Sequence, residues 1–70
     1  MERKKGQRYL FVNYAGSFIG EVEDIDDTEV TGVRIIQVIN WTMRVGHLYT
    51  RCNLEDSCWT YLPGQDKPLA

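Results

Sequence analysis

The run from Val30 to Trp41, Val-Thr-Gly-Val-Arg-Ile-Ile-Gln-Val-Ile-Asn-Trp, is the densest stretch of β-branched residues in the chain. Such side chains are stiff at χ1 and suit a pleated, largely buried surface better than a helix. The run does not alternate cleanly. Odd positions hold Thr31, Val33, Ile35, Gln37, Ile39 and Trp41, and even positions Val30, Gly32, Arg34, Ile36, Val38 and Asn40. Both faces are partly apolar, and the phase slips at Ile35-Ile36. A strand with this pattern is either covered on both sides or bent by a bulge. In a short chain the bend is the better reading, because one curved strand can then serve both halves of a small barrel.

The flanking patterns predict four further strands. In the first, Gln7 to Tyr14, Leu10, Val12 and Tyr14 line one face while Tyr9 and Phe11 make the other aromatic. Ala15-Gly16-Ser17 reads as a hairpin loop. The second strand, Phe18 to Ile25, puts Phe18, Gly20 and Val22 on one face and Ile19, Glu21 and Glu23 on the other. A glycine at position 20 is costly unless a bend or a neighbouring backbone needs the space. Asp24 to Glu29 forms the next turn. Beyond the central run, Asn40-Trp41-Thr42 leads into a fourth strand, Met43 to Cys52, interrupted by Gly46. Asn53 to Ser57 is expected as a loop with one helical turn capped by Asn53. The fifth strand, Cys58 to Leu62, ends at Pro63-Gly64.

This order predicts an all-β fold: a small five-stranded, strongly bent antiparallel sheet or barrel of the SH3-like, Sm-like or OB-like kind. Residues 1–6 are expected as a flexible basic arm, 7–62 as the single barrel domain and 63–70 as a flexible tail. Composition adds a constraint. At 70 residues, with 43% hydrophobic and 26% charged side chains, the chain is one domain near the lower limit for folding on its own core. A staple or a second subunit is therefore expected, and a homo-oligomer is among the readings. No apolar run approaches the length of a membrane span, and no basic-then-apolar leader is present. The expected setting is the reducing cytoplasm. The glycosylation pattern Asn40-Trp41-Thr42 is then accidental.

The net charge of −2 hides a segregated distribution. Arg3, Lys4, Lys5 and Arg8 crowd the N-terminus against Glu2 alone. Glu21, Glu23, Asp24, Asp26, Asp27 and Glu29 fall within nine residues that contain no base. The order Tyr9 to Tyr14, Gly16, Gly20 and Asp24 to Asp27 before a long apolar strand faintly resembles an Sm-like barrel, in which a glycine-containing hairpin also leads to an acidic turn. That family's RNA site does not carry over, because no Asn follows the acidic turn and no Arg-Gly pair closes the fourth strand. No family is assigned.

Chemical constellations are sparse. His47, Cys52 and Cys58 are the only soft metal ligands, and the cysteine spacing is wider than a structural zinc site uses. The plainer reading puts Cys58 in the core, Cys52 at a strand end and His47 on the surface, with no metal and no cofactor. A Cys52–Cys58 disulfide remains open. Asp24, Asp26 and Thr28 match the first ligand spacings of a calcium loop. The turn glycine and the bidentate glutamate of that loop would be Glu29 and Ile35, which rules it out. Neither Ser17 nor Ser57 sits in a nucleophile elbow, so an enzyme is not expected.

The function expected is that of a non-catalytic binding or regulatory protein, such as an inhibitor or adaptor of phage or mobile-element type. It would meet a basic surface on another protein through its acidic patch, with Trp41, Tyr49 and Trp59 as exposed anchors. The alternative is a nucleic-acid-binding barrel using Arg3, Lys4, Lys5 and Arg8 beside Tyr9 and Phe11. The second alternative is a structural subunit of a symmetric oligomer.

Overall fold

The computed structural model describes residues 3–14, 16–40 and 44–66. It is an all-β chain with five strands, β1 (Arg8–Asn13), β2 (Gly16–Asp26), β3 (Glu29–Asn40), β4 (Leu48–Thr50) and β5 (Cys58–Tyr61), and one helical turn, α1 (Arg51–Leu54). The strands form a single antiparallel sheet in the order β4-β3-β2-β1-β5. A four-strand meander thus gains its fifth member beside β1.

The central strand is bent as its sequence implies. The β2–β3 register shifts between Ile19 and Gly20, leaving Ile36 without a cross-strand partner, and again around Asp24 and near Ser17. Each bulge adds local twist. The Ile35-Ile36 slip in the sequence therefore marks a true insertion: Val33 and Ile35 face the core before it, and Val38 packs against the core after it.

The core is an aromatic belt. Phe11 of β1 and Phe18 of β2 stack with centroids 5.0 Å apart and planes at 11°. Phe18 also meets Tyr49 of β4 at 5.0 Å, although β3 lies between their strands. On the other side Phe11 meets Trp59 of β5 at 4.6 Å. Contact between rings two strands apart requires the sheet to curl, which brings its two edges towards each other. They meet through side chains and α1. Asn13 donates to the Tyr49 hydroxyl at 2.9 Å and to Ser57 Oγ at 3.2 Å. No ladder joins β4 to β5 among the described residues.

Several boundaries differ from the sequence expectation. Gly16 and Ser17 belong to β2 rather than to a loop, since Asn13 pairs with Gly16. The acidic turn shrinks to Asp27-Thr28, because Asp26 pairs with Glu29 and Asp27 takes a left-handed φ of 57° that aspartate tolerates. The fourth strand keeps only three residues. Gly46 turns at φ 92° and donates its amide to the Ile35 carbonyl at 2.7 Å. Residues after Thr50 wind into α1, so Asn53 lies inside the helical turn instead of capping it. Cys58 is exposed, not core, because Trp59 and Tyr61 take the inward phase of β5. Cys52 lies in α1, and both thiols are free. Trp41 falls outside the described residues, as does the end of the expected tail, residues 67–70.

Arg3 to Gly6 run back against the sheet. The Gly6 amide donates to the Val22 carbonyl at 2.9 Å, and the buried Gln7 side-chain oxygen accepts from Lys4 N at 2.7 Å and from the Tyr9 hydroxyl at 3.0 Å.

Gly20 sits where the belt is tightest. A Cβ there would strike Val33 Cγ1 and lie 3.1 Å from Phe11 and 3.2 Å from Phe18. Overpacking of this kind costs about 1–3 kcal/mol, a large share of the stability of a domain this small. Gly20→Ala is therefore expected to lower the urea midpoint clearly. An unchanged midpoint would show that the ring stack does not need the glycine.

Candidate protein-binding surface

The acidic residues lie along β2 and at the β2–β3 turn, but they are not uncompensated. Register supplies the bases that local sequence lacks. Arg8 pairs across the ladder with Glu21, its guanidinium 3.1 Å from Oε1. Arg34 grips Glu23 with two nitrogens and donates a third bond to the Gly46 carbonyl at 2.9 Å. The hydrogen bond to Glu23 raises the Arg34 pKa further, against desolvation and with the charges of Glu23 and Asp24 assisting. Arg51 of α1 lies 3.3 Å from Glu29 and 3.9 Å from Asp26. These last groups are widely exposed, so the pairing contributes little to stability. Asp27 at the turn has no ion pair among the described residues.

What remains acidic is the hairpin end, and it borders a groove. An open groove of about 540 Å³ runs between the β2–β3 turn and α1. Trp59, Leu54 and Val30 supply its apolar lining, while Glu29 and Glu55 stand as carboxylates at its walls. The indole is held firmly. Its Nε1 donates to the Leu54 carbonyl at 3.2 Å, and Tyr9 meets it edge-on at 5.5 Å. The guanidinium of Arg3 lies over the indole, 4.1 Å from the ring centroid. Among the described residues no carboxylate pairs with Arg3.

The other site residues expected from sequence divide sharply. Trp59 is half-buried with a face to the groove. Tyr49 is only 4% exposed, which corrects its assignment as an exposed anchor: the curl of the sheet turns it onto Phe18. Tyr9 and Phe11 are likewise core, at 3% and 0% exposure, so they offer no face for a base to stack on. Lys4 and Lys5 are exposed, whereas Arg8 is committed to Glu21. Sequence reasoning missed Gln7, Arg51, Leu54 and Glu55. Gln7 and the α1 residues carry no motif, and only the fold places them. Among the described residues no group of three or more His, Cys, Asp and Glu side chains is arranged to hold a metal ion, and no helix is long and apolar enough to cross a membrane. No protein-family model, curated protein or solved structure matches the chain.

At the end of β5, the Tyr61 hydroxyl donates to both Asp66 oxygens at 2.9 Å. This bond, with desolvation and the carboxylate charge, raises the phenol above its ordinary 10.0, while Gln7 pulls it slightly back. The folded state thus favours the protonated phenol. The contact is fully present below pH 10.0 and is lost as pH rises through the raised value. Asp66→Asn is expected to move the Tyr61 titration back towards 10.0, read as a UV difference against Tyr61→Phe. An unmoved titration would show that Asp66 does not set it.

Proposed function

We propose that the protein is a non-catalytic binding module that engages a basic surface of another protein. The contact surface is the acidic β2–β3 hairpin end together with the Trp59 groove beside it. One observation carries this reading: the hairpin residues Thr28, Glu29 and Val30 line the same groove as the half-buried Trp59. Carboxylates for steering and an aromatic anchor therefore share one surface. Regulation of the partner, by inhibition or by bridging, belongs to the same reading. A cytoplasmic setting is supported by the two exposed free thiols. Nucleic acid is the weaker ligand class, because the aromatic residues proposed to stack on bases are buried and Arg8 is bound to Glu21.

The test is fluorescence anisotropy at low salt with two labelled probes, a capped oligo-arginine peptide and a mixed oligonucleotide pool. The peptide is expected to bind and the pool is not. Replacing Asp24, Asp26 and Asp27 by Asn removes three exposed charges at about 0.5 kcal/mol each, an expected loss of about tenfold. Binding of the pool, or indifference to the triple substitution, would contradict the proposal.

A symmetric oligomer is the second reading, favoured by exposed apolar residues at one end of the sheet. Val12 is 45% exposed, Tyr14 95% and Ile39 54%. Val12 pairs with Ser17, which pairs with Asn40 next to Ile39, so these residues share that end. Light scattering decides it. A dimer or ring that reverts to monomer in Val12→Ser/Ile39→Ser would support this reading, and a monomeric parent chain would eliminate it.

A further inference from the structure

We infer that the Trp59 groove is a receptor for an arginine side chain of the partner, and that the chain's own Arg3 occupies it until the partner displaces it. This rests on the proposed protein-binding function and names what the site takes. The observation is the seated guanidinium itself. Arg3 lies 4.1 Å above the Trp59 centroid and 5.7 Å from that of Tyr9, in a groove also lined by Glu55 and by Glu29 with its partner Arg51. An aromatic face with carboxylates beside it is the chemistry that recognises a guanidinium, by cation–π attraction and by fork-like hydrogen bonds. The platform is built in advance, since the indole is fixed by its bond to Leu54 and by Tyr9 at its edge.

The occupant, by contrast, is held loosely. Arg3 has no ion pair among the described residues, and its backbone is tethered only from Lys4 onwards, through Gln7, and at Gly6, through Val22. Arg3 can therefore leave the groove while Gln7 and Gly6 keep the segment on the sheet. Its departure removes a positive charge from the groove lining and uncovers the indole face. The same segment would then act as an internal competitor. It covers the apolar floor in the free protein and sets a threshold that only an arginine-bearing partner with additional contacts to the acidic hairpin overcomes.

The experiment compares Arg3→Ala, Lys5→Ala and the parent chain, each titrated with capped oligo-arginine and with capped oligo-lysine of equal length. Both variants lose one positive charge from the same segment, but only Arg3 covers Trp59. Release of an exposed cation–π contact is worth about 0.5–1 kcal/mol, so Arg3→Ala is expected to bind oligo-arginine about two- to fivefold tighter. Lys5→Ala is expected to change little, and oligo-lysine to gain less than oligo-arginine. Equal tightening by both substitutions would mean bulk charge alone and would overturn the inference. So would weaker or unchanged binding by Arg3→Ala. In a Trp41→Phe background, where Trp59 is the remaining tryptophan, Arg3→Ala is expected to shift the emission of the free protein, and oligo-arginine to shift it back. An emission that ignores both would also overturn it. A concentration-dependent mass for the parent that Arg3→Ala abolishes would assign the occupant to a second copy of the chain and contradict occupation in cis. Loss of oligo-arginine binding in all three proteins would instead remove the underlying binding reading.

Discussion

The stack of Phe11 on Phe18, with no side chain at Gly20 beside it, is the contact on which the rest of the molecule depends. Phe11, Phe18, Val33 and Ile35 are wholly buried. Their rings and branches meet where Gly20 leaves room for Val33. Losing either phenyl group would cost about 3–5 kcal/mol, comparable to the whole stability expected of a domain this size. The bulge at Ile36 follows from the same constraint. Twist added there allows β4 to swing Tyr49 onto Phe18, and the curl brings α1 and β5 together, where Trp59 donates to the Leu54 carbonyl. The groove is the seam left where, among the described residues, the two edges approach without a ladder.

Electrostatics is arranged around that seam rather than spread over the surface. Cross-strand pairing places Arg8 on Glu21 and Arg34 near Glu23, quieting the middle of the β2–β3 ribbon. At the hairpin end, among the described residues, only Arg51 is within reach of Asp26 and Glu29, at distances that leave both carboxylates open to solvent. The acidic character therefore concentrates at the hairpin end, beside the groove. A rigid indole at its floor and adaptable charges at its rim form a division of labour common to protein contacts, with the anchor fixing position and the rim governing approach.

Much of the fold was legible in the sequence because strands declare themselves through β-branched content and alternation. Even the bulge was visible, as the broken phase at Ile35-Ile36. The aromatic face of β1 and the inward set Phe18, Gly20 and Val22 likewise follow from period-two reading. Failures occurred where tertiary geometry overrides local pattern. Tyr49 looks like a lone aromatic near polar residues, and only the curl buries it. Cys58 looks like a core residue because it is small and apolar, but Trp59 sets the phase of β5. The acidic run looks uncompensated because its arginine partners lie 11 to 13 residues away or further along the chain. The groove was not legible at all, since its walls come from Arg3, the β2–β3 hairpin, α1 and β5, and no spacing joins them.

The most direct test of the central claim is amide chemical-shift mapping of the labelled protein as oligo-arginine peptide is added. Shifts are expected to concentrate at Thr28 to Val30, at Arg51 to Glu55 and at the Trp59 indole, with the Arg3 amide moving as its side chain leaves the groove. Shifts centred instead on Val12, Tyr14 and Ile39, or scattered evenly over every acidic residue, would contradict it.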